Sequence, residues 1–454
     1  MRKLILGITA LSLASCNNSE PVNYALFKGS IKNPNSKSVM IIDGNNKLVK
    51  KIEVSDAGTF SDTIFDVTKG YYSLNDGKEG SSLYLQNGYD ITMDLDAKQF
   101  DETISYSGEG SDVNNYLAQK FLIKEKAGST FKLYGLDEAK YLETMNTLKA
   151  DLEKSLDNVD SKFAAEEKTN LNYEHIGNVS QYELYHGYVS KNKDFKVSDS
   201  FPNVLEGVDF SNEDHYKSFD SYKSIVSANF NKVARENSKK NGTSYEAEAI
   251  AQLKELKSNV IKDDILQNMA GQVSVMNPNA EALYKGIMEI STDEKFKERL
   301  TKQYNTVLRL AKGKDSPAFE NYENNAGGTT SLADLKGKYV YIDVWATWCK
   351  PCKDEIPHLK KVEEQYHDKN IEFVSISIDQ AKDYDLWKKM IKDESLGGIQ
   401  LMADAAWGSK FVQDYQIQGI PRFILVDPNG KIVNSFAPRP SDKKLIELFD
   451  GLKI

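Results

Sequence analysis

The sequence predicts a multidomain chain, with an antiparallel β domain first, a helical region in the middle and an α/β domain at the C-terminus. Three observations carry this reading. The 454 residues exceed what one hydrophobic core comfortably serves. The apolar period changes twice along the chain, from alternating to helical and then to buried strands interleaved with helices. Within the last segment, two cysteines separated by two residues stand where a strand gives way to a helix. The divisions expected are 1–15 as a leader, 16–23 as a tether, 24–110 as β, 111–310 as helical and 311–454 as α/β.

The β segment rests on short alternating runs at 24–29, 38–43, 47–54, 59–65 and 89–95. Turn chemistry separates them: Asp43-Gly44, Asp56-Ala57-Gly58, Asn75-Asp76-Gly77 and Asn87-Gly88. A sandwich or an open barrel satisfies this pattern equally well. From about 112 to 310 the apolar residues fall at helical spacing, as in Leu136, Tyr141, Met145, Leu148 and Leu152, and again in Ala249, Leu253, Leu256 and Val260. Pro202 and Pro278 interrupt the run. After Gly313-Lys314-Asp315-Ser316-Pro317 the pattern becomes α/β, with strands expected at 339–344, 371–378, 423–426 and 431–436. Asp427-Pro428-Asn429-Gly430 joins the last two as a turn.

A formal charge of −9 with no basic stripe argues against a nucleic-acid partner. Only three cysteines occur, Cys16, Cys349 and Cys352, so a disulfide-stapled scaffold is excluded. Met1-Arg2-Lys3 followed by the apolar run 4–13 reads as an export signal, too short to span a bilayer. Leu13-Ala14-Ser15-Cys16 resembles a bacterial lipobox, which implies a lipid on Cys16 and a polar tether after it. The expected location is therefore a bacterial membrane surface, facing the periplasm or the cell exterior, with the bilayer engaged through Cys16. Inner and outer membrane both stay open.

Two sulfurs within the first turn of a helix can close a disulfide, and the free N–H groups and dipole of that turn stabilise a thiolate. Cys349, the outer sulfur, is the expected nucleophile, and Cys352 the resolving thiol. The block Trp345-Ala346-Thr347-Trp348-Cys349-Lys350-Pro351-Cys352 resembles the thioredoxin active site. Tyr341-Ile342-Asp343-Val344 before it, Pro357 after it and Gly419-Ile420-Pro421-Arg422 further on are similar to that family's buried strand, kinking proline and cis-proline loop. The lead-in Leu332-Ala333-Asp334-Leu335-Lys336-Gly337-Lys338 and the extra segment 379–408 make the domain most similar to the TlpA and ResA type. The resemblance implies a thiol-disulfide oxidoreductase that docks protein substrates on Trp348, Lys350, Pro351, Ile420 and Pro421. It also implies two proton acceptors for Cys352, Asp343 on the strand and Glu355 on the helix, with either able to lead. Ser375 stands where thioredoxins carry a lysine beside the buried aspartate. The first domain, 24–110, resembles the β domain found ahead of thioredoxin domains in Bacteroidetes lipoproteins, through Gly29-Ser30-Ile31 early and the run 107–116 at its end.

Competing chemistry fares less well. A zinc site needs further ligands, and no other cysteine neighbours the pair, while the histidines are scattered, His175 and His186 included. A peroxidase of the peroxiredoxin class needs proline and threonine where Ile342 and Ala346 stand. A ligand- or protein-binding lipoprotein with an accessory redox domain is the alternative reading. The dipeptide between the cysteines and Ile420 resemble the family's reducing members, which implies a reductase fed by a membrane thiol electron donor, because no nicotinamide or flavin motif is present. The expected cofactor is none beyond the Cys349–Cys352 disulfide, with the lipid on Cys16 as the attachment. Cytochrome c maturation proteins, oxidised periplasmic thiols and partner lipoproteins are the candidate substrates.

Overall fold

The computed structural model describes residues 22–454; the leader, the lipobox and Cys16 lie outside the described residues. Two compact units divide at Val226 and Ser227. The first opens with eight strands: β1 (Tyr24–Lys32), β2 (Ser38–Asp43), β3 (Leu48–Glu53), β4 (Thr59–Phe65), β5 (Gly70–Asn75), β6 (Gly80–Leu85), β7 (Asp90–Asp96) and β8 (Ser105–Glu109). They form two four-stranded sheets, ordered β4-β1-β7-β8 and β3-β2-β5-β6. Every pairing is antiparallel except that of β1 with β7. Of the two architectures the pattern allowed, two sheets are what forms, because alternate residues such as Ala25, Phe27, Val39, Ile41, Ile91 and Met93 all enter one core. Helices Ser111–Ala127, Glu138–Lys154 and Ser161–Ser180 add Tyr116, Leu152 and Phe163 to that same core.

Helices continue to Glu294–Arg309, so the helical stretch is shared between the two units. The stripe from Ala249 to Val260 is not one helix. Tyr245–Glu255 ends at Leu256, and Ser258, whose hydroxyl accepts from the Ile261 N–H at 3.2 Å, caps a new helix Asn259–Ala270. The C-terminal unit then builds a seven-stranded sheet from β9 (Tyr322–Asn324), β10 (Thr329–Thr330), β11 (Tyr339–Trp345), β12 (Ile371–Ser377), β13 (Ile399–Met402), β14 (Arg422–Val426) and β15 (Ile432–Asn434), in the order β10-β9-β13-β12-β11-β14-β15. β11, β12 and β13 run parallel, while β14 returns antiparallel beside β11. Both faces are covered. On one, Ile342, Val344, Val374 and Ile376 pack with Trp387 and Phe411; on the other, Tyr341, Phe373 and Phe423 pack with Leu359, Val362 and Phe449. The central strands are apolar on both sides for this reason, which is why they read as runs rather than alternations.

Candidate active site

β11 delivers its end to the start of helix Lys350–Gln365, and both cysteines fall at that junction. Cys349 is the N-cap: its sulfur accepts from the Cys352 N–H at 3.2 Å, satisfying one of the free donors of the first turn. Pro351, whose missing N–H costs nothing there, is accommodated in the same turn. The two sulfurs are joined in a disulfide, with Cα atoms 5.3 Å apart. Both cysteines are only 4% exposed, so accessibility does not mark Cys349 as the outer sulfur in this oxidised state. Their surroundings differ instead. Cys349 follows Trp348, which is 54% exposed, while Cys352 lines a cavity beneath the helix. Lys350 and Pro351 are exposed, and Ile420, joined to Pro421 by a cis peptide bond, packs against the core that holds both cysteines. After it, buried Arg422 donates from Nε and Nη2 to the Ser435 carbonyl at 3.0 and 2.7 Å and stacks over Phe436.

The loop leading to Cys349 is fixed by a residue whose role the sequence did not disclose. Asp379 is buried and accepts from the Thr347 N–H at 2.9 Å, the Thr347 hydroxyl at 2.8 Å and the Ser377 hydroxyl at 2.7 Å. Nothing local in the sequence links it to Thr347, 32 positions earlier.

The two candidate carboxylates occupy different environments. Asp343 faces the same side of β11 as Tyr341 and Trp345 by strand alternation, and it lines the cavity together with Cys352. Its partner in register on β12 is Ser375, so no lysine lies opposite. Burial, reinforced by Glu363 and Glu355, pushes the Asp343 carboxyl up to about 8. Glu355 is turned elsewhere: it accepts from the Ser441 N–H at 3.0 Å and the Ser441 hydroxyl at 2.8 Å, with the Arg439 guanidinium 4.0 Å away. It does not line the Cys352 cavity. Glu363 does, and burial raises it to about 7. His175 and His186 stand on separate helices, and among the described residues no group of three potential ligands is poised for a metal ion.

The profile of the Redoxin family matches residues 311–447. The C-terminal domain is a Redoxin domain. ResA of Bacillus thuringiensis (strain Al Hakam) is 29% identical over 133 residues, which span 29% of this chain and 73% of that protein. ResA of Bacillus subtilis (strain 168) is 27% identical over 136 residues, 29% of this chain and 72% of that one. Both carry the name thiol-disulfide oxidoreductase. The crystallised thioredoxin domain of a Bacteroides vulgatus thiol-disulfide oxidoreductase is 33% identical and spans 32% of this chain and 98% of that one, at a TM-score of 0.28. The segment is a thioredoxin-like thiol-disulfide oxidoreductase domain of the ResA and TlpA type.

Proposed function

We propose that this chain reduces protein disulfides at the outer face of a bacterial membrane, held there by a lipid on Cys16. The observation that carries the redox part is the asymmetry of the pair: Cys349 caps a helix beside exposed Trp348, and Cys352 faces a carboxylate-lined cavity. The Cys349 thiolate, stabilised by the helix N-terminus, attacks one sulfur of a substrate disulfide and expels the other as a thiolate. Cys352 then loses its proton and attacks Cys349, forming the intramolecular disulfide and releasing the second substrate sulfur. Two electrons pass from the pair to the substrate, and the protons of the two thiols balance the two substrate thiols formed. Asp343, in the cavity with Cys352, is the acceptor for the second proton, while Glu355 anchors the segment around Ser441. Trp348, Lys350, Pro351, Ile420 and Pro421 form the docking surface for the substrate chain.

A pair that reduces others must be returned to the dithiol form, so the chain takes electrons from a membrane thiol donor. Among the described residues no helix is long and apolar enough to cross a membrane, and the lipobox-like Leu13-Ala14-Ser15-Cys16 supports a lipid anchor in its place. Equilibration of the Cys349–Cys352 pair in defined glutathione or dithiothreitol buffers tests the direction of flow. A potential near the thioredoxin value of roughly −270 mV is expected; one near the roughly −120 mV of strong oxidants would make the protein a disulfide donor. Replacement of Cys16 by serine is expected to move the chain out of the membrane fraction and abolish labelling by a fatty-acid probe. Full membrane retention by that variant would remove the anchor from the proposal.

A further inference from the structure

Beneath the active helix lies a cavity of about 20 Å³ lined by Asp343, Trp345, Cys352, Glu363, Ser375 and Gln400, among others. Three buried side-chain atoms of its wall have no hydrogen-bond partner among the described residues: Asp343 Oδ1, Trp345 Nε1 and Gln400 Oε1. Buried polar atoms are seldom left so, since each gives up its hydration with nothing in return. Their chemistry is complementary to a single water. The indole N–H is a donor and the two oxygens are acceptors, so one water that accepts once and donates twice satisfies all three. The cavity exceeds the roughly 10–15 Å³ that a water requires, and it offers the two to four polar partners that hold one.

Glu363 lines the same wall. It is half-buried and, among the described residues, makes no direct ion pair, the nearest charge acting on it being that of Lys360. Lys360, one turn earlier, also lines the cavity, and its charge draws Glu363 down while its ammonium donates to the Glu394 carbonyl. Gly397 leaves room for the carboxylate, since a Cβ there would come within 2.5 Å of Glu363 Oε2, whereas Gly398 is set by its left-handed backbone and the Phe373 carbonyl, 2.6 Å from where its Cβ would stand. Burial raises both carboxyls, and Asp343 is raised further by Glu363, so either can carry a proton near neutral pH.

We propose that Glu363 is the outer station of a proton path serving Cys352, connected to Asp343 through a water held by Trp345 and Gln400. This rests on the dithiol reading given above. When Cys352 attacks Cys349, the S–H bond of Cys352 breaks and its proton passes to Asp343. It then crosses the water to Glu363 and leaves to solvent, while the electron pair left on sulfur forms the bond to Cys349 Sγ and the substrate sulfur departs. Re-reduction runs the path backwards. Glu363 acts through Asp343, and is therefore a positioning residue. The other ionisable groups facing this path are Glu355 and Lys360 on the helix and Tyr341 on β11, whose hydroxyl donates to the Pro438 carbonyl.

The full chain, reduced and mixed with excess 5,5′-dithiobis(2-nitrobenzoate), should release coloured thiolate in two phases. The first is the attack by Cys349, the second the resolution by Cys352. Because that leaving group needs no proton, the second phase isolates departure of the Cys352 proton. With E363Q, the first phase is expected to be unchanged and the second slowed on the order of tenfold between pH 6 and 8, with its pH dependence flattened. E363D should restore part of the rate and the pH dependence. A wild-type second phase and profile in E363Q would overturn the proposal, as would equal slowing of both phases in E363Q and E363D, which marks a packing role. If the wild type itself releases no second equivalent, the dithiol reading fails first, and the result is distinguishable from a fault in Glu363 alone.

Discussion

At the scale of single residues, the two carboxylates that the sequence offered for Cys352 are separated by what each touches. Glu355 has its oxygens occupied by Ser441, whereas Asp343 is left with a buried, unpaired Oδ1 beside the cavity. An acid whose ionisation is disfavoured by burial has a consequence for stability. In the unfolded chain Asp343 ionises near the ordinary value of 3.8, and in the folded protein near 8. The native state therefore holds a proton that the unfolded state gives up, and stability attributable to this group is fully present below about pH 4 and is lost as pH rises through about 8. Asn cannot ionise. The oxidised D343N variant should match the wild type in urea unfolding near pH 4 and have the higher urea midpoint at pH 8.5, since each tenfold change in the ionisation constant is worth about 1.4 kcal/mol. Equal urea midpoints at pH 8.5 would mean that Asp343 ionises in the folded protein without penalty.

At the scale of elements, the parts most legible in the sequence were those whose pattern is set locally. β2, β4 and the strands around the active helix follow directly from apolar runs bounded by turns, and Asp427 forms the expected turn by accepting from the Asn429 and Lys431 N–H groups at 2.9 and 2.8 Å. The strands that escaped are β5, β6, β8, β9, β10 and β13, and several of them lack a period of two. In β6, two polar serines precede three consecutive buried residues, Leu83, Tyr84 and Leu85; β8 contributes Tyr106 alone to the core; and β10 is two residues long. Such segments become strands because neighbours supply the pairing. The cysteine pair was legible because its chemistry is compressed into one turn. Glu363 was not, since among Lys360, Lys361 and Glu364 it reads as one more solvated position of a charged helix. What sets it apart is the cavity it shares with Gly397 and Asp343 from distant parts of the chain, which no local pattern encodes. Asp379 was hidden in the same way, because its value to the active loop lies in its bonds to Thr347 across the strand ends.

At the scale of the whole molecule, redox chemistry and folding are linked, among the described residues, in one of the two compact units. Cys349 and Cys352 both belong to the unit Ser227–Ile454, and residues 22–226 of the other unit contain no cysteine. Reduction therefore changes the covalent structure of the C-terminal unit alone. The sign of its effect follows from the direction of electron flow. A pair that gives electrons readily is one whose folded protein is more stable as the disulfide, whereas a strong oxidant is one whose reduced form is the more stable. Calorimetry of the full chain with and without dithiothreitol reads this linkage. Reduction is expected to lower the transition of the C-terminal unit by several degrees, since about 1 kcal/mol moves a domain of this size by roughly 2–4 °C, while the transition of the β-sandwich unit stays in place. A reductant that raises the C-terminal transition would identify a protein that oxidises its substrates. A shift of both transitions together would show that the two units unfold as one, so that the redox state of Cys349 and Cys352 is felt as far as the β sandwich.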